Sequence, residues 1–188
     1  MKNKKILYFL LIIFCVFNLN KVFAEEIVFE TPEIITFENG NILKASKGGK
    51  ALIGESTEIT ANQFEYNKIT KILIAIGNAK ALDIINKVTI EADELIYNKQ
   101  KLLFTAKGNA KAIDTLNKTT INADELEYNK QYSKYTAKKN VKVHDALNNV
   151  FTEAEKIIYI INQEKIFTEG KTRIIIEEEY TINSKDVV

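Results

Sequence analysis

The chain has 188 residues, 46% of them hydrophobic, and 26 Lys+Arg against 25 Asp+Glu, for a net charge of +1. That apolar share excludes a disordered chain, and the charge balance excludes the basic excess of a nucleic-acid binder. With seven Gly, one Pro, no Trp and many β-branched residues, the composition points to strands.

Lys2, Lys4 and Lys5 precede the apolar run 6–17, and Val22-Phe23-Ala24 places small residues where signal peptidase cuts. The pattern predicts a cleaved signal peptide over 1–24 and an exported domain over 25–188. The run is short for a membrane span, leaving an uncleaved anchor as the alternative. Cys15, the single cysteine, lies inside this segment without the small residue that precedes a lipoprotein cysteine. The exported domain therefore has no disulfide or thiol chemistry.

"EEIVFETPEIITF" (25–37) reads as a strand pair in which Pro32 suits an edge. "NILKASKGGKALIG" (41–54) resembles half of a unit that then recurs every 31 residues. Tyr66, Tyr97, Tyr128 and Tyr159 keep that step, as do Ala61, Ala92, Ala123 and Ala154. Leu73, Phe104, Tyr135 and Ile166 form a third column; Ala75, Ala106, Ala137 and Thr168 a fourth. Gly77, Gly108 and Gly170 make another, broken by Lys139. Four units run from about Ile59 to Tyr180, and "TINSKDVV" (181–188) begins a fifth. Such self-similarity means that each unit buries its apolar face by stacking on its neighbours.

Within a unit the period is two. Phe104, Ala106, Gly108, Ala110 and Ala112 share one face, with Thr105, Lys107, Asn109 and Lys111 on the other. Ile121 and Ala123 change parity with Leu126 and Tyr128, which predicts a β-bulge at Asp124-Glu125. "YNKQ" and "DTLNKT" read as turns, so each unit is strand, turn, strand, turn. The expected fold is all-β: an open twisted β-jellyroll of V-shaped antiparallel sheets built from two-strand repeats. A parallel β-solenoid is the alternative, and the short connections favour hairpins.

The acid pairs Asp93-Glu94 and Asp124-Glu125 invite a catalytic or cation-binding reading. Their counterparts are Asn62-Gln63 and Glu155-Lys156, however, so the acids drift while the flanking Ala and Tyr persist. His144 is the sole histidine, and Ser46, Ser56, Ser133 and Ser184 have no relay around them. The reading is a protein that is not an enzyme, with no catalytic residues, metal site or cofactor.

The apolar columns remain. Leu73, Ala75, Phe104, Ala106, Tyr135, Ala137 and Ile166 would line one inner surface, with Ala79, Ala110 and Val141. Leu95, Leu126, Ile157 and the four tyrosines Tyr66, Tyr97, Tyr128 and Tyr159 would line the opposing one. An ordinary sandwich core is one reading; an apolar trough for acyl chains, with room beside the small residues, is the other.

"TIEADELIYNKQKLLFTAKGNAKA", "TINADELEYNKQYSKYTAKKNVKV" and "FTEAEKIIYIINQEKIFTEGKTRI" resemble the OstA-like repeat of the lipopolysaccharide transport family. LptA, LptC and the N-terminal periplasmic domain of LptD share that repeat. The resemblance covers residues 27–188. It implies a periplasmic domain, associated with the outer membrane, whose trough carries lipid A acyl chains. It also implies partnership with other Lpt jellyrolls by edge-strand pairing, and with an outer-membrane barrel or its lipoprotein partner, but not with nucleic acid. Ile27, Phe29, Ile35, Ile182 and Val187 are the edge residues expected to meet such partners. "TEGKTRIIIEEEYTINSKDVV" resembles the LptD domain most, with an LptA-like bridge protein as the alternative. The absence of a mature cysteine departs from LptD. A small outer-membrane barrel is a further alternative, disfavoured by Val188 in place of a terminal aromatic.

Overall fold

Residues 26–177 and 179–187 are described by a computed structural model; the signal segment, Cys15, Glu25 and Val188 lie outside them. In chain order the strands are β1 (Ile27–Glu30), β2 (Ile35–Phe37), β3 (Ile42–Ala45), β4 (Gly49–Ile53), β5 (Thr57–Ala61) and β6 (Gln63–Asn67). Six long strands follow: β7 (Ile72–Asp83), β8 (Val88–Asn98), β9 (Leu103–Asp114), β10 (Thr119–Asn129), β11 (Lys134–Asp145) and β12 (Val150–Ile160). The chain closes with β13 (Lys165–Glu169), β14 (Thr172–Ile176) and β15 (Tyr180–Ser184).

Neighbouring strands pair antiparallel throughout, which decides for hairpins over a solenoid. The register slips near the middle of each long pair, between Glu91 and Glu94 against Lys111 and Lys107, and between Asn122 and Glu125 against Lys142 and Lys138. These are the bulges that the parity switch predicts. Opposite each acid pair, two residues in a row take positive φ: Gly77 and Asn78, Gly108 and Asn109, Lys139 and Asn140. An extra residue in the left-handed conformation bends the strand sharply.

The bends divide one sheet into two leaves. The first runs β1-β4-β5-β7-β8-β9-β10-β11-β12-β14-β15 and uses the turn-proximal halves 79–83, 88–92, 110–114, 119–123, 141–145 and 150–154 of the long strands. The second runs β2-β3-β6 through the other halves of β7 to β12 and ends on β13. Neither leaf closes on itself; β1 and β15 end the first, and β2 and β13 the second. The fold is the open, V-shaped antiparallel jellyroll that the repeat predicts.

The leaves face each other across one apolar layer. Phe29 of β1 packs on Phe64 and Tyr66 of β6, with ring centroids 5.9 and 6.2 Å apart. The two inner surfaces differ in residue size. Leaf one presents Ala79, Ala81, Ala110, Ala112 and Ala123 beside Ile59, Ile90 and Ile121. Leaf two carries a ladder of rings, Tyr97–Phe104–Tyr128–Tyr135–Tyr159, with centroids 4.5, 6.3, 4.8 and 6.3 Å apart. Large rings against alanines let the leaves approach closely, as interdigitation in a dense core requires.

One expectation is corrected here. Leu73 lies opposite Tyr97, and Leu95 opposite Ala75 and Ala106, so alternate strands line the same surface rather than opposing ones. Directly opposed residues of an antiparallel pair share a face; it is the bend that separates the two inner surfaces.

Candidate functional site

The bend closes one side of the V, and the other side is a mouth flanked by two rows of hairpin turns. On the first leaf these are 84–87, 115–118 and 146–149; on the second, 68–71, 99–102 and 130–133. Each is held by an Asx side chain at the strand end. Asn67 Oδ1 accepts from the N–H groups of Ile69 and Thr70, Asn98 Oδ1 from that of Lys101, and Asn129 Oδ1 from that of Tyr132. The first-leaf turns use aspartate. Asp83 and Asp114 each accept a backbone N–H and a side-chain amide, from Asn86 and Asn117 respectively, at 2.8–3.1 Å. Such turns are rigid because the side chain replaces the missing backbone partner.

Asp83 and Asp114 are both 3% exposed. Lys130 reaches across the mouth from the second leaf, with Nζ 3.2 Å from Asp83 Oδ2 and donating to Thr57 Oγ1 at 3.0 Å. Its side chain is 14% exposed. This strut ties the leaves where β5 and β7 meet the turn after β10. Beside it, burial pushes the Tyr128 and Tyr135 hydroxyls well above the usual phenol range, and the carboxylates of Asp83 and Asp114 add to the effect. The Tyr135 hydroxyl is buried without a hydrogen-bond partner.

Beyond the strut, toward β13, the mouth stands open. A cleft of about 400 Å³ is lined by Asn117, Val143, Asp145, Leu147, Tyr159 and Ile166. Its walls come from turns of the first leaf and from β12 and β13 of the second. A second cleft, about 570 Å³, lies at the bend among Asn140, Lys142, Glu155, Lys171 and Arg173, with Val141 and Ala154 also in its lining.

All eleven residues predicted to line a lipid trough fall on the second leaf. Leu73, Ala75, Leu95, Tyr97, Phe104, Ala106, Leu126, Tyr128, Tyr135 and Ala137 form its buried inner surface in contact with the alanine-rich leaf. Ile166 is half-buried and lines the open cleft. Of the edge residues, Ile27 and Phe29 face the interior, Ile35 and Ile182 are exposed on β2 and β15, and Val187 bridges to Thr168 of β13. Sequence reasoning missed the cluster of Asp83, Asp114 and Lys130. The signal was present, since Asp83, Asp114 and Asp145 recur every 31 residues, each followed three places on by Asn.

The acid pairs sit at the bend. Glu94 pairs with Lys107 and Glu125 with Lys139, while Asp93 and Asp124 accept from the amides of Asn109 and Asn140. The Lys139 ammonium holds the Glu125 carboxyl below its ordinary range. His144 lies on the outer face, its ring stacked 4.1 Å from that of Phe151.

No protein-family profile matches the chain, and no curated protein matches it in sequence. Among solved structures the chain is similar to LptH of Pseudomonas aeruginosa, described as the LptA-homologous periplasmic component of a lipopolysaccharide transport device. The two are 13% identical, the match covers 77% of this chain and 82% of that one, and the TM-score is 0.32.

Proposed function

We propose that the chain is a non-catalytic periplasmic carrier that holds lipopolysaccharide by its acyl chains and passes it along the repeat axis toward the outer membrane, as an LptA-like bridge does. The observation that carries this reading is the open cleft between the leaves, where Leu147, Tyr159 and Ile166, beside the buried Val143, stand at the edge of a continuous apolar interior, with Asn117, Asp145 and Glu164 as its polar rim. Its volume falls within the range of small-molecule sites. The register of repeats that resemble the OstA-like pattern supports the lipid class. Farther in, the leaves touch, so an acyl chain advancing past Lys130 has to part them. Unpaired edges at β1, β2 and β15 suit a relay, since another jellyroll can add a strand to each. A second reading, the N-terminal domain of LptD, is favoured by the sequence of 168–188 alone.

The test is site-specific crosslinking in cells. A photo-reactive residue at Ile166 should label lipopolysaccharide, while one at Lys111, on the outer face, should not. Equal labelling at both positions, or none at Ile166, would overturn the reading.

A further inference from the structure

We infer that the rims of the mouth form a docking surface for an anionic lipid bilayer. This goes beyond the carrier reading and holds whether or not lipid enters the interior. Two independent observations carry it.

The first is where the apolar side chains are exposed. Ile85 (70%), Ile69 (65%), Leu116 (64%), Tyr132 (61%) and Leu147 (57%) are five of the six most exposed large hydrophobic residues described. All five sit on turns flanking the mouth, and of them only Leu147 also lines the open cleft. Ile85, Leu116 and Leu147 occupy successive first-leaf turns, two strands or about 10 Å apart. Asx hydrogen bonds hold each turn rigid, so the apolar tips are presented without an ordering cost. Exposed apolar tips grouped on one side of a molecule mark an interaction surface.

The second observation is charge. On the outer faces, most lysines are neutralised across strands, Lys44 by Glu65, Lys80 by Glu91, Lys107 by Glu94, Lys138 by Glu127 and Lys142 by Glu153, with Lys111 an exception. On the rims, Lys68, Lys71, Lys87, Lys99, Lys101 and Lys118 have no ion pair among the described residues. Asp83 and Asp114, which begin two of the first-leaf turns, are buried and engaged, Asp83 by Lys130 and Asn86 and Asp114 by Asn117. Cationic side chains interleaved with apolar tips match a surface of anionic headgroups over acyl chains. An acidic protein would meet the lysines but would leave separate apolar tips unfilled.

Strand twist limits the contact. Each strand step turns the sheet by about 20–25°, so neighbouring tips differ by about 45° and a flat bilayer takes two at once. Leu116 is the middle tip and belongs to either pair, so it matters most.

The chain has no tryptophan, so L116W supplies a unique fluorophore, with K111W on the outer face as control. Phospholipid vesicles free of lipopolysaccharide are used, which separates this inference from the carrier reading. With phosphatidylglycerol vesicles, L116W emission should shift to the blue and K111W should not. Half-molar salt should weaken binding, and K99Q with K101Q should weaken it about 25-fold, at about fivefold per lysine. The inference fails if phosphatidylglycerol gives no shift, if phosphatidylcholine gives the same shift, or if K111W responds equally. It also fails if the lysine changes leave vesicle binding unaltered, because the rim charge would then play no part, or if heparin binds as tightly as vesicles, because the rim would then read polyanions alone. Circular dichroism checks that each variant remains folded.

Discussion

Replacing Lys130 by Met removes the one cation that spans the mouth among the described residues and leaves Asp83 buried beside Thr57. Taking one partner from a buried ion pair typically costs about 3–5 kcal/mol, because the other charge loses its compensation. Two features lower that figure here. Asp83 keeps both hydrogen bonds from Asn86, and Lys130 retains some exposure in the folded state. Asp114 shows that the arrangement tolerates the missing lysine, since it is as buried as Asp83 and is held by Asn117 alone. The expected destabilisation is therefore about 2–3 kcal/mol, or a fall in melting temperature of about 4–12 °C for a domain of this size. Urea unfolding followed by circular dichroism measures the free energy. In a cycle with Asp83→Asn, the double variant should recover at least half of the loss, with a coupling of about 1–2 kcal/mol. If Lys130→Met costs less than about 0.5 kcal/mol, or if the two changes simply add, the strut does not join the leaves and the argument from burial is wrong.

Three other outcomes follow from the interior and the bend. Tyr135→Phe deletes a buried hydroxyl that has no partner, so stability should be unchanged or rise by about 1 kcal/mol; a clear loss in thermal melting would mean that a water or a neighbour satisfies it. Tyr128 and Tyr135 both ionise far less readily when folded. Their contribution is whole below the unfolded phenol value near pH 10, and it falls by about 1.4 kcal/mol per tyrosine per pH unit above it. Absorbance at 295 nm should show these phenols ionising only as the chain unfolds, and Tyr128→Phe with Tyr135→Phe should flatten the alkaline slope. An unchanged slope would refute the assignment. Lys139→Gly should stabilise by about 1 kcal/mol, because Lys139 holds φ at +64° where Gly77 and Gly108 stand in the other units. Its exposed pair with Glu125 offsets little of that gain, and lower stability on chemical unfolding would count against the strain.

Much of the architecture was legible because the 31-residue step exposes what each position does. Ala92 and Ala123 against Leu95 and Leu126 revealed the change of parity, and the structure places a bulge there. The turns were legible through Asn and Lys runs between alternating segments. The assignment of residues to inner surfaces was not, because alternation along a strand does not say which neighbour lies opposite. Leu73 and Leu95 look like separate sets in a column alignment, yet pairing puts them on one leaf. The strut was hidden for another reason. Lys68, Lys99 and Lys130 are one column, and only tertiary placement singles out Lys130 as the residue that crosses to Asp83.

The bends have a consequence for how such a chain can change in size. Every unit between β7 and β12 supplies the same parts: two strands, one bend and a turn on each rim. Inserting or deleting a whole unit keeps all pairings and lengthens or shortens the body by about 10 Å. Any other insertion within a strand shifts the left-handed pair at 108–109 or its equivalents away from the bend line and breaks the crease. The crease thus acts as a ruler: the span of this protein is set in whole repeats, and intermediate lengths are structurally forbidden.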